Sequence, residues 1–110
     1  MGLFGFGKKK YVKNVTRDNE FLKDYAIKCN GLLFYVEDKE NVKKELNMLK
    51  DDFQYTVATN DSAAKKLEKS IKTDFEALTA HLQQSDWDEA QALMLIRGLR
   101  RYIVEINSMR

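Results

Sequence analysis

Apolar residues recur at three- and four-residue spacing along most of the chain, the signature of helices that each bury one face. Leu22, Tyr25, Ala26, Cys29, Leu32, Leu33 and Val36 form the first such stripe. Thr16 or Asp18 is placed to cap its helix, which is expected to run to about residue 36. Asn30-Gly31 within it is also a hairpin signal, but the flanking residues lack a two-residue alternation, so the helix is expected to continue through it. Val42, Leu46, Leu49, Phe53 and Val57 follow at the spacing of a coiled-coil seam, with Glu37 and Asp38 as the acids that open the second helix. Thr59-Asn60-Asp61-Ser62 then reads as a turn and cap.

The third stripe, over about 61–83, is Ala64, Leu67, Ile71, Phe75, Leu78 and Leu82. Ser85 is expected to cap a fourth helix with Asp88 or Glu89 in its first turn. Its core face is Ala92, Leu95, Ile96, Leu99, Tyr102, Ile103 and Ile106, and it extends close to Arg110. Helices of this length span roughly 30 Å, and short links between them favour antiparallel neighbours. The expectation is an all-α, up-down-up-down antiparallel four-helix bundle. It occupies 16–110 as a single domain behind a flexible glycine- and lysine-rich tail, 1–15.

Composition supports that outline. The chain has 110 residues, 44% hydrophobic and 33% charged, with no proline to interrupt a helix and one cysteine. A lone cysteine makes no internal disulfide, which points to a reducing, cytoplasmic setting. No apolar run approaches the ~20 residues of a spanning helix. The opening Leu-Phe-Gly-Phe is too short for a signal peptide, and its lysines follow it instead of preceding it. Met1-Gly2 lacks the Ser or Thr at position six that myristoylation calls for. Residues 1–17 hold Lys8, Lys9, Lys10, Lys13 and Arg17 and no acid, a charge of +5. The rest carries 19 − 5 = 14 bases against 17 acids, or −3. A basic tail on a mildly acidic body argues against nucleic acid as a partner.

Catalytic chemistry finds little to stand on. Gly2 to Lys8 has the spacing of a phosphate-binding loop, but Lys9 replaces the hydroxyl residue and no strand can precede the segment. One histidine cannot build the paired Glu-x-x-His sites of a di-iron bundle, and one Cys with one His is too few for zinc. Cys29 lies in a core stripe and His81 near a helix C-terminus, structural placements for both. Asp51-Asp52 and Asp86-Asp88 read as solvated helix-end charge. No catalytic residue, metal, cofactor or small-molecule substrate is expected, and the protein is read as non-enzymatic.

The outer faces carry more. Ile27 and Phe34, seven apart, make a second stripe on the first helix, and Met48 and Tyr55 do so on the second. On the fourth, Leu93, Met94 and Val104 share a face with Arg97, Arg100 and Arg101, residue types enriched at interfaces. The third shows only Lys65, Lys69, Lys72 and Glu76. The leading expectation is an interaction or scaffold protein that self-associates, or binds a protein partner, through the outer face of its last helix. The arginines would then pair with acids on a second chain, Asp24, Asp51 and Asp52 being candidates. A second expectation is peripheral attachment to an anionic membrane through Phe4, Phe6, Lys8, Lys9 and Lys10, although one short apolar segment with a few lysines binds only weakly.

Overall fold

The computed structural model describes residues 20–56 and 62–109. Within them lie four α-helices and no strand. We name them α1 (20–33), α2 (Glu40–Tyr55), α3 (Ser62–Leu82) and α4 (Glu89–Ser108). Asn30-Gly31 is helical, as the stripe requires. A single 3₁₀ turn, Phe34–Val36, follows α1 and carries Val36 into the core. The proposed tail, including Phe4, Phe6 and Lys8 to Lys10, lies outside the described residues, as do Val57 and the cap at 59–61.

Two helix starts differ from expectation. Glu37 and Asp38 form a turn, and α2 begins at Glu40 with Lys39 in the capping position and no side-chain cap. The chain must reverse direction after the buried Val36, and the Lys39 amide bonds the Val36 carbonyl at 3.0 Å to do so. Ser85 likewise stays in the loop. The cap of α4 is Asp88, whose carboxylate accepts the Gln91 amide at 3.0 Å. The loop is set further along the chain because Trp87 packs against the core and His81 Nε2 accepts the Asp88 amide at 3.0 Å.

Specific contacts give the arrangement of the four helices. Tyr102 on α4 donates to Asp74 on α3 at 2.8 Å, while His81 meets Asp88, so α3 and α4 run antiparallel. Arg97 reaches Glu45, Arg100 reaches Asp52 and Asn107 reaches Thr56, so α2 and α4 are parallel neighbours. Tyr25 stacks at 5.6 Å on Phe53 and at 4.9 Å edge-on to Phe75, joining α1 to both α2 and α3. Directions therefore alternate along the chain, up-down-up-down, while α2 and α3 sit across the diagonal and touch through Phe53 and Phe75 at 6.3 Å.

The stripes fill the centre. Val42, Leu46, Leu49 and Phe53 from α2, with Ile96 and Leu99 from α4 and Ile71 and Leu78 from α3, are wholly buried. Leu33, Leu67, Leu95 and Tyr102, assigned to the core by spacing, are half-buried at its edge. Burial of such side chains supplies the main stabilisation of a bundle, about 1.5–3 kcal/mol for each large one.

Candidate protein interface

The six residues singled out on α4 divide between two settings. Leu93 is half-buried and packs on the core. Arg97 and Arg100 lean over the seam toward α2. Met94, Arg101 and Val104 face outward, Met94 and Val104 with 61% and 64% of their surface exposed.

The seam is an ionic clasp built on helical spacing. Glu45 and Asp52, seven apart, lie on one row of α2, and Arg97 and Arg100 lie on the facing row of α4. Arg97 donates through Nε and Nη2 to Glu45 Oε1, each at 3.3 Å. Arg100 Nε donates to Asp52 Oδ2 at 2.6 Å, and its Nη1 reaches Glu45 Oε2 at 3.5 Å. The Asp52 hydrogen bond raises the Arg100 pKa above the ordinary guanidinium value, outweighing the opposing cost of partial burial. The two cations and two anions cancel. Arg97 and Arg100 thus have acidic partners within the chain, and Asp52, one of the acids expected to serve a second chain, is the partner of Arg100.

Around this neutral clasp lies apolar surface from both helices. Met48 Sδ sits 3.6 Å from Arg100 Nη1, and Met48 lines a shallow cleft with Leu93 and Arg97. Tyr55, on the same outer row of α2, is 73% exposed. Asp51 and Arg101, one position beyond the clasped pair on each helix, are exposed and make no ion pair among the described residues. Gly98 lies on the outer side of α4, and a Cβ built there meets nothing within 4 Å. Sequence spacing alone picked out Met48 and Tyr55, but not Glu45, whose signal was the seven-residue row it shares with Asp52.

Other candidates stand elsewhere. Asp24 pairs with Lys28 on its own helix at 3.4 Å. Cys29 is wholly buried, and desolvation pushes its thiol up to about 12. Such a group is a poor nucleophile near neutral pH. His81 is engaged with the Asp88 backbone and packs edge-on to Trp87 at 6.4 Å. No cluster of metal-ligating side chains occurs among the described residues, and no helix there is long and apolar enough to cross a membrane. The outer face of α3, with Lys65, Lys69, Lys72 and Glu76, is exposed and polar throughout. Comparison with protein families, with curated proteins and with solved structures gives no match, which leaves this surface chemistry as the guide to function.

Proposed function

We propose that the protein is a non-enzymatic interaction module that associates with a second copy of itself through the outer face of α2 and α4. The observation that carries this is the exposure of Met48, Tyr55, Met94 and Val104 around a clasp whose charges are already neutralised. With these four charges already paired within the chain, burying the apolar neighbours against a partner strands none of them without a counter-charge.

The face is also self-complementary. The Arg100–Asp52 bond sets the two parallel helices at one height, so Arg101 and Asp51 stand level on opposite sides of the seam. A twofold axis running parallel to the two helices above the seam lays Arg101 over Asp51 of the second copy, twice per dimer. Tyr55 follows Asp52 and Val104 follows Arg100 by about one turn each, roughly 5–6 Å in the same direction. The same axis therefore brings Tyr55 against the second copy's Val104. Gly98 leaves room for close approach on α4.

Light scattering on the full chain tests this. The wild type should weigh twice 12.8 kDa, and Met94→Glu with Val104→Glu should return it to a single chain with an unchanged helical circular dichroism spectrum. A wild type that is monomeric at high micromolar concentration defeats the proposal. Leu93 is left out of the variant because it packs on the core.

A further inference from the structure

The outward side of α1 has two unlike ends. Toward its start, a cleft of about 450 Å³ opens against α2. Lys23, Ala26, Ile27 and Asn30 of α1 line it with Lys50 and Gln54 of α2, and no acid does. The two lysines give it a charge of +2, and neither makes an ion pair among the described residues. Toward the other end stands Phe34, 77% exposed and seven residues after Ile27, so the two share one row. Glu37 keeps helical backbone angles, φ −56° and ψ −35°, and the chain runs on from that row through Glu37, Asp38, Lys39 and Glu40. These four are exposed and sum to −2, three acids against Lys39. One end is thus a basic cleft, and the other an aromatic knob followed by acids.

We infer that the outer face of α1 docks against α1 of a second copy, Phe34 of each filling the basic cleft of the other. A twofold axis in the contact plane, crossing α1 at right angles between Asn30 and Gly31, lays the two helices antiparallel. Ile27 and Phe34 are equally far from that point, as are Lys23 and Asp38. Phe34 therefore stands over Ile27 of the second copy, and Asp38 over its Lys23. The same axis keeps the α2 side of one copy on the α2 side of the other, where the cleft opens. There the Phe34 ring lies beside the ammonium groups of Lys23 and Lys50, a cation–π setting. Glu37 and Asp38 supply the counter-charge that the cleft lacks. A parallel pairing would instead set basic on basic and acidic on acidic. Gly31, next to the axis, is exposed, and a Cβ built on it meets nothing within 4 Å, so the helices can approach closely. A contact confined to one helix buries less than the roughly 1,200 Å² of a stable interface, so it is weak alone. On chains already paired through α2 and α4, it joins dimers into larger assemblies.

NMR spectra of the Met94→Glu, Val104→Glu variant test this, because substitutions on the α2–α4 face make the outcome independent of that face. Between micromolar and millimolar concentration, the amides of Ala26, Ile27, Asn30 and Gln54 should shift together. Those of Lys69 and Thr73, exposed on α3, should stay fixed. Phe34→Ala, at an exposed position, should abolish the shifts and leave the helical circular dichroism spectrum unchanged. Lys23→Asp and Asp38→Lys should each abolish them alone. Mixed in equal amounts, the two should recover them, since each contact then joins unlike charges. Shifts absent at millimolar concentration overturn the inference. So do shifts that survive Phe34→Ala, or charge variants that stay silent when mixed.

Discussion

The bundle has two pairs of parallel neighbours, and they are finished differently. Between α2 and α4 the long side chains of Arg97 and Arg100 cross the seam and close it on Glu45 and Asp52. Between α1 and α3 the facing positions are Gly31, Thr79 and Ala80, and the space stays open over Phe75. Both gaps flank the same aromatic centre of Tyr25, Phe53 and Phe75. Side-chain length at a few seam positions, more than the helical framework, decides which surface is sealed and which stays open.

Truncating the shared floor breaks both regions at once. Phe75→Ala should cost about 3–5 kcal/mol in urea unfolding, and Leu99→Ala beneath the seam about 2–5 kcal/mol. Leu67→Ala, at a half-buried position, should cost less than Leu99→Ala. Equal losses at 67 and 99 would contradict the facing of α3 described here.

A pH titration separates the interior from both surfaces. Well below pH 9 the Cys29 thiol is protonated whether the chain is folded or not. Between its ordinary value of 9.0 and its buried value of about 12, only the unfolded chain ionises, so stability falls as pH rises. The slope from this group approaches about 1.4 kcal/mol per pH unit. Tyr25, raised by burial, and Tyr102, raised by its bond to Asp74, act in the same direction at higher pH. Cys29→Ala should therefore lose stability less steeply above pH 9 than the wild type, as read by denaturant midpoints across the series.

The clasp and the groove then separate from one another. Arg100→Met should cost about 0.5–1 kcal/mol, because the ion pair is partly solvated, and the loss should shrink in high salt. Gly31→Ala should instead stabilise by about 0.4–1 kcal/mol, since the residue is helical, has an ordinary φ and faces open space. Lys69→Ala on the polar back of α3 should stay within about 0.5 kcal/mol. A destabilising Gly31→Ala would contradict the open space beside that position.

Much of the framework was legible in the chain because helical periodicity is a local property. The stripes named the core of each helix, and the absence of proline let them run unbroken. Three features were not legible in the same way. The start of α2 depends on how far the chain must travel to turn after Val36, which spacing does not encode. The cap of α4 was present as Asp88-x-x-Gln91, but Ser85 offered an equally good cap locally. Which helices are neighbours is a non-local fact, so the outward arginines could be recognised as a feature while their partners, Glu45 and Asp52 on a parallel helix, could not.

Self-association through α2 and α4 is tested most directly by a charge exchange at the two level residues. Asp51→Arg and Arg101→Asp are each expected to give a monomer by light scattering, since each sets like charges together at both contacts. Mixed in equal amounts, they should recover a mass of twice 12.8 kDa, because each contact then joins an arginine to an aspartate. Two variants that stay dimeric alone, or a mixture that stays monomeric, would contradict the proposed face.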